Sequence, residues 1–192
     1  SESLDSDNDG VGDNADAFPN DATKSVSVCS NIQGTTVNFD ALLTENCTNL
    51  SSYNLFADST NPTTGVNGNK SLKYDLSMPL FTDYATKYRF VVMPEDQTAA
   101  YKEKEVFDMP VGTVLIKTFS LPADTALRGF ANETLIETRL LIHRAEGWIA
   151  LPYRWNAEGS EATYVASGRS FDTTVTHNSE TLEFKYVIPS TT

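Results

Sequence analysis

Carboxylates recur at short, regular intervals near the start of the chain. A calcium ion requires several hard oxygen ligands, and EF-hand-type loops supply them from positions 1, 3, 5, 7, 9 and 12, with glycine at position 6. Carboxylates occupy five of these positions, namely Asp5, Asp7, Asp9, Asp13 and Asp16. Gly10 stands at the sixth position, and the backbone carbonyl of Val11 stands at the seventh. The spacing therefore predicts a calcium site, and we expect Asp21 to assist a second ion.

The same segment departs from an EF-hand in two respects. Asp16, at the twelfth position, has a shorter side chain than the usual glutamate. Pro19 follows closely and opposes an exiting helix, so no helix is expected to flank the loop. An acidic disordered tail is the alternative interpretation of this composition.

The residues from 5 to 21 read Asp-Ser-Asp-Asn-Asp-Gly-Val-Gly-Asp-Asn-Ala-Asp-Ala-Phe-Pro-Asn-Asp. This string resembles the bacterial form of the thrombospondin type-3 repeat, which recurs in extracellular proteins. The resemblance covers only this part of the chain. It implies a calcium-binding repeat over residues 1–24, followed by a separate domain over residues 25–192.

Charge and cysteine content narrow the classes of function. Residues 1–24 contain seven acidic side chains and one lysine, and so carry half of the net charge of −12. No basic run is present to neutralise phosphates, so we expect no nucleic-acid partner. The absence of an apolar run of about 18 residues predicts no transmembrane segment. Cys29 and Cys47 are the only cysteines, and an even count in a Thr- and Asn-rich chain favours one disulfide over two buried thiols.

The elements that must support these residues are mostly strands. The densest β signal lies at 113–121, where β-branched and aromatic residues stand between Pro110 and Pro122. A hairpin is predicted over 134–155, with its turn at Ala145-Glu146-Gly147. Further strands are expected at 71–76, 88–93, 102–109, 163–165 and 181–188, and short helical turns at 40–56. The pattern predicts an all-β protein, an antiparallel β-sandwich or jelly-roll-like domain with an N-terminal calcium loop.

A second resemblance covers residues 50–189. The strings at 74–90, 107–113, 135–140 and 148–156 are similar to a β-domain that precedes c-type haem regions in bacterial secreted proteins. The resemblance implies a module of a larger secreted protein whose haem lies beyond this chain. This chain has no Cys-x-x-Cys-His motif, so it cannot attach c-type haem itself.

The best catalytic candidates are Glu137, Arg139 and His143, which alternate along one predicted strand. Residues two apart share a face of a strand, so a same-face ion pair of Glu137 with Arg139 is the favoured interpretation. A hydrolase that uses Glu137 and His143 is the alternative. No nucleophile or metal triad stands at a recognisable spacing, and His177 is expected in a loop.

Aromatic residues allow one more alternative, a sugar-binding platform. Its candidates are Tyr84, Tyr88, Tyr101, Trp148, Tyr153 and Trp155. Core packing is favoured, because a β-domain needs large inner side chains. Exposed and coplanar rings at Trp148 and Trp155 would instead favour a carbohydrate-binding or adhesion module.

The leading interpretation is non-catalytic. We expect a calcium-stabilised structural or interaction module that is extracellular, at the cell surface or periplasmic. Its expected partners are other domains of the same parent protein or neighbouring subunits, with a glycan as the alternative.

Overall fold

A computed structural model of the chain describes residues 4–68 and 70–191. Residues 1–3 of the predicted calcium-binding segment therefore lie outside the described residues. The strands within the described residues are β1 Ser71–Lys73, β2 Thr86–Val92, β3 Val114–Pro122, β4 Glu133–Arg144, β5 Gly147–Trp155, β6 Ala162–Tyr164, β7 Arg169–His177 and β8 Glu180–Ile188. One α-helix, α1, spans Phe39–Thr44, and 3-10 turns span Val28–Ser30, Leu50–Tyr53 and Phe130–Asn132.

Strands β1 to β6 form one antiparallel sheet in chain order, and β7 pairs with β8 in a separate hairpin. Each strand of the larger sheet therefore pairs with its neighbour in sequence. The all-β class and the antiparallel arrangement are confirmed. Short helical elements also occur where they were expected, at α1 and at Leu50–Tyr53.

Two strand predictions are wrong. Residues 102–109 form no strand, and a single bridge joins Ala100 to Asp108. Val106 is exposed there, so the segment buries too little apolar surface to hold a strand on the sheet. Strand β7 was not predicted, because it is rich in serine and threonine and has only two strongly apolar residues, Phe171 and Val175. His177 ends this strand instead of lying in a loop.

One face of the six-stranded sheet carries the main core. Alternate residues point to the same side of a pleated strand. Two cross-strand rows on this side are aliphatic or aromatic, and one of them contains Phe90, Ile116, Leu140 and Leu151. Residues 37–56 cover these rows and bury Leu42, among others. The larger core thus lies between a sheet and a helix-and-loop layer.

Polar contacts fix the covering layer. Asn38 caps α1 by accepting a hydrogen bond from the backbone N–H of Ala41 at 3.2 Å. At the other end of α1, Arg144 donates to the carbonyl oxygens of Leu42 and Glu45 at 2.8 and 2.7 Å. These carbonyls are among the groups that a helix leaves without internal partners. The layer is therefore held to β4 by charge-assisted hydrogen bonds as well as by apolar packing.

The hairpin β7–β8 packs against the opposite face, near one end of β3 and β4. A second, smaller core forms there from Leu121, Ile136, Tyr186 and Ile188. A β-bulge at Phe119 and Ser120 shifts the pairing of β3 with β4 at this end. The shift lets Ile136 join the hairpin while Leu135 joins the main core.

Gly112 precedes β3 at a close approach of the backbone to Pro94. Its φ is 92°, and a Cβ atom there would lie 2.6 Å from Cγ of Pro94. Only glycine satisfies both constraints without strain. Among residues 4–68 and 70–191, no helix is both long and apolar enough to cross a bilayer.

Cys29 and Cys47 form a disulfide with Cα atoms 5.7 Å apart. This confirms the predicted pairing, and such a bond is typical of oxidising compartments. The bond joins the Val28–Ser30 turn to the layer that covers the sheet.

We expect replacement of both cysteines by serine to lower the free energy of unfolding by about 3 kcal/mol. The reason is that a cross-link across 18 residues restricts the unfolded chain. Urea denaturation of the variant beside the oxidised wild type measures the loss. Identical unfolding midpoints for the two proteins would show that the bond does not stabilise the fold.

Candidate metal centre and the charged face of the sheet

Aspartate side chains fold the segment 5–18 into a compact loop by accepting hydrogen bonds from nearby backbone N–H groups. Asp5 accepts from Asn8 at 2.8 Å and from Gly10 at 3.1 Å. Asp9 accepts from Val11 at 2.7 Å, and Asp16 accepts from Phe18 at 2.7 Å. Such Asx turns hold the carboxylates on the inside of the loop.

Two carboxylate oxygens in this loop are buried and have no hydrogen-bond partner among the described residues. They are Oδ2 of Asp7 and Oδ2 of Asp16. Asp16 is 9% exposed, although a lone charged group is costly to bury. Oxygens of Asp5, Asp7 and Asp9 lie within 4.8 Å of one another. The loop thus gathers oxygen ligands, and no Lys or Arg side chain within residues 4–68 and 70–191 forms an ion pair with them.

The electrostatics of Asp7 reflect this crowding. Burial raises its pKa, and the charges of Asp9 and Asp16 raise it further. Hydrogen bonds from the backbone of Asp9 and Asp21 act in the opposite direction. Asp7 therefore lies among three other predicted ligands, and the cluster repels itself until a cation neutralises it.

The other predicted ligands have different surroundings. Both oxygens of Asp13 accept hydrogen bonds from Ser6, each at 2.8 Å. Asp21 accepts from the N–H and the hydroxyl of Thr23, and these hydrogen bonds lower the pKa of Asp21. Val11 is partly buried within the loop. The oxygen-rich donor set fits a hard divalent cation such as calcium. Asp7, Asp9 and Asp16 each accept a hydrogen bond through one carboxylate oxygen, which leaves the other oxygen to bind the ion.

Glu137 and Arg139 form the predicted same-face ion pair. Arg139 donates from Nε and Nη2 to the two oxygens of Glu137 at 2.8 and 2.6 Å. Tyr186 of the hairpin donates a third hydrogen bond to Glu137 at 2.8 Å. Glu137 is 0% exposed, while the side chain of Arg139 is 34% exposed.

This arrangement explains the raised pKa values of the two side chains that donate to Glu137, namely Arg139 and Tyr186. Burial opposes the charged form of Arg139, but the hydrogen bonds and charge of Glu137 outweigh it and raise the Arg139 pKa. Burial and the Glu137 charge raise the pKa of Tyr186, so its hydroxyl remains a donor. The contacts of Glu137 are those of a structural carboxylate.

His143 does not join Glu137 and Arg139 in one site. It lies six residues from Glu137 on β4, which corresponds to about 20 Å along a strand. Its Nδ1 lies 2.9 Å from the carbonyl oxygen of Met109, and its ring stacks on Trp148. The three residues proposed for a hydrolase are thus divided between two environments.

The aromatic candidates are also divided. Trp155 is 6% exposed and donates from Nε1 to the hydroxyl of Thr138, whereas Trp148 is 42% exposed. Tyr153 is fully buried and donates to the carbonyl oxygen of Cys47 at 2.8 Å. Trp148 and Trp155 therefore do not form a shared exposed platform, and core packing is confirmed for Tyr153 and Trp155.

Glu133 forms a polar cluster that the sequence did not reveal. It accepts hydrogen bonds from Thr86 at 2.6 Å, Tyr88 at 2.8 Å, Ser120 at 2.5 Å and the N–H of Gly129 at 3.0 Å. Burial disfavours its charge, but these donors outweigh burial and lower its pKa. The donors come from β2, β3 and a connecting turn, so only the strand register brings them together.

We expect Arg139→Ala to lower the free energy of unfolding by about 3 kcal/mol, because it leaves the buried Glu137 carboxylate without its cation. Lys185→Ala is the matched control, since Lys185 pairs with Asp172 at an exposed site and such pairs contribute about 0–1 kcal/mol. Urea denaturation measures both. Equal losses in the two variants would contradict a structural role for the Glu137 pair.

We expect Glu133→Gln to be destabilising by about 1–3 kcal/mol at neutral pH. A depressed pKa in the folded state stabilises the protein above the ordinary glutamate value of 4.5, and this stabilisation is lost as the pH falls through the folded pKa. The difference in the free energy of unfolding between wild type and Glu133→Gln should therefore become smaller as the pH falls. Urea denaturation at several pH values measures this difference. Glu158→Gln, at an exposed position, is the control. A difference in unfolding free energy that does not change with pH would contradict a stabilising negative charge on Glu133.

Comparison with protein-family models, curated proteins and solved structures finds no match for this chain.

Proposed function

We propose that this chain is a calcium-stabilised structural or interaction module of a larger secreted bacterial protein. The observation that carries the proposal is the pair of buried oxygens on Asp7 and Asp16, which have no hydrogen-bond partner in the described part of the chain. Buried carboxylate oxygens are normally hydrogen-bonded, paired or bound to a metal. Calcium binding is the interpretation that also accounts for the loop spacing.

The residues that would hold the ion are the predicted ones. The carboxylates are Asp5, Asp7, Asp9, Asp13 and Asp16, with the Val11 carbonyl as a backbone ligand and Asp21 available to a second ion. When bound, calcium would neutralise a segment that carries half of the net charge of the chain. The loop would then be ordered by its ligands in place of a hydrophobic core.

Contacts beyond the loop support a role in joining domains. Ala17 donates a backbone hydrogen bond to Ser25 at 3.1 Å, which closes the segment that follows the loop. Ser27 and Val28 then donate to Glu45 in the layer over the sheet at 2.7 and 2.8 Å. The disulfide adds a covalent link at the same place. A rigid loop at this position would set the direction in which a neighbouring domain leaves the sheet.

The resemblance to domains that precede c-type haem regions supports the same proposal at the level of context. Any haem would belong to another part of the parent protein, because this chain has no Cys-x-x-Cys-His motif. An extracellular, cell-surface or periplasmic location fits both the disulfide and a calcium site. The partners would be other domains of the parent protein or neighbouring subunits.

We expect Asp16→Asn to weaken calcium binding by about tenfold or more, because affinity depends on the number of charged ligands. Asp58→Asn is the matched control, since Asp58 forms a similar Asx turn with Thr60 outside the acidic loop. Isothermal titration with calcium chloride measures the affinity, and limited proteolysis with and without chelator reports the order of residues 5–21.

Three results would contradict the calcium proposal. They are the absence of a calcium signal in the wild type, equal calcium affinity in Asp16→Asn, and proteolysis that chelator does not change. A magnesium titration run in parallel tests the ion class, because magnesium requires stricter geometry and binds water more strongly.

A further inference from the structure

Three cationic side chains lie directly opposite one another on the face of the sheet that the main core does not use. Arg89 of β2 pairs with Lys117 of β3, and Lys117 pairs with Arg139 of β4. Neighbouring strands are about 4.8 Å apart, so the row crosses about 10 Å of the sheet. We call these residues the cation row.

Like charges placed opposite each other destabilise a sheet. Burial lowers the pKa of Lys117, and the charges of Arg139, Arg89 and Lys87 lower it further. Glu137 is the acidic group that acts against them, and it is already held by Arg139 and Tyr186. The row therefore has an excess of positive charge in a protein whose net charge is −12.

Arg89 makes few polar contacts among the described residues. Its side chain is 6% exposed, and its guanidinium group carries five N–H donors. Within residues 4–68 and 70–191, its charged partner is Asp75, which is 78% exposed and lies 3.7 Å away, and the guanidinium donates no hydrogen bond. Lys117 likewise lacks an ion pair in the described structure, and its ammonium group lies 4.8 Å from the centre of the Phe119 ring.

Two open hollows flank the cation row, and we call the row and these hollows together the trough. On one side, residues 75–85 approach Lys87 and Arg89. On the other side, residues 102–109 approach Leu115 and Leu141, the next row of the same face. Trp148 lies at this second side, 42% exposed. The trough thus combines closely spaced cationic side chains with a wall of exposed apolar and aromatic residues, which also carries Glu105 and Asp108.

We propose that the cation row binds the carboxylate or sulfate groups of an acidic polysaccharide, whose sugar rings lie against Leu141 and Trp148. Guanidinium groups match planar oxyanions with paired hydrogen bonds, and an ammonium group adds a compact charge between them. An anion in the row would satisfy Arg89 and relieve the repulsion among Arg89, Lys117 and Arg139.

The spacing of the row favours a polysaccharide over an acidic peptide. An extended peptide presents carboxylates on one side at every second residue, about 6.6 Å apart. The cations are separated by the strand spacing of about 4.8 Å, which is close to the length of one sugar ring. A chain with one acidic group on each sugar can therefore cross the strands with one group at each cation. Amphipathic aromatic rings such as that of Trp148 also suit sugar rings.

Affinity gel electrophoresis and isothermal titration with a matched set of polymers test the proposal. Carboxymethyl-dextran and dextran sulfate supply the two acidic groups, and neutral dextran has the same backbone without charge. Poly-L-glutamate and a short single-stranded DNA represent other polyanions. We expect the wild type to bind one or both acidic dextrans but not neutral dextran, and to bind more weakly as salt increases.

The deciding variant is Lys117→Gln, because Lys117 has no ion pair that folding requires. We expect it to bind acidic dextran at least about tenfold more weakly, the loss of one charge-assisted hydrogen bond. Its melting temperature should be equal to or higher than that of the wild type, since a repulsive charge has been removed. Lys185→Gln, on the exposed hairpin, is the control and should bind as the wild type does.

Several outcomes would overturn the proposal. Equal binding of acidic dextran by Lys117→Gln and wild type would exclude the cation row as the binding site. Equal binding of neutral and acidic dextran would exclude recognition of the anion. Tighter binding of poly-L-glutamate or DNA than of either acidic dextran would assign the row to an acidic protein or a nucleic acid. None of these results depends on calcium occupancy of the N-terminal loop, so the two proposals can fail separately.

Discussion

A carboxylate with no exposed surface imposes the main constraint on this fold. Glu137 lies on β4 between β3 and β5, and burying its charge requires a cation and hydrogen-bond donors close by. Arg139 supplies the cation from the same strand, and Tyr186 supplies a donor from the hairpin. The hairpin can therefore dock in one position, with the Tyr186 hydroxyl over Glu137. Because Arg139 must point to this face, the same contact also places its guanidinium group in the cation row.

The two faces of the six-stranded sheet differ in composition and burial. On the core face, every level of description agrees: strand register, apolar composition and burial all favour one packing. On the other face, like charges stand opposite each other and apolar side chains such as Leu141 remain exposed. Departures of this kind are typical of functional surfaces, where binding matters more than stability. Packing on the core face stabilises the sheet enough to tolerate the repulsion between like charges on the other face.

The sequence predicted what depends on short-range spacing. The loop carboxylates, the disulfide, strands β3 to β5 and the pairing of Glu137 with Arg139 all involve local patterns or a single choice of partners. It could not predict the cation row, because Arg89 and Lys117 lie on different strands and only the register places them side by side. The sequence contains no run of basic residues, but the fold brings three basic residues together in space. The predicted strand at 71–76 is present as the shorter β1, and its Leu72 is exposed because β1 lies at the edge of the sheet.

The charge distribution also determines how an anionic partner would reach the trough. A chain with a net charge of −12 repels polyanions at long range, and half of that charge lies in residues 1–24. At physiological ionic strength, such repulsion is screened beyond about 8 Å, so the approaching ligand responds mainly to the nearest charges. Near the cation row, those charges are Lys87, Arg89, Lys117 and Arg139, opposed by Asp75 and Glu137. Binding there would therefore depend on fixed, partly buried donors at short range instead of on electrostatic steering, and selectivity would come from the spacing of the anionic groups.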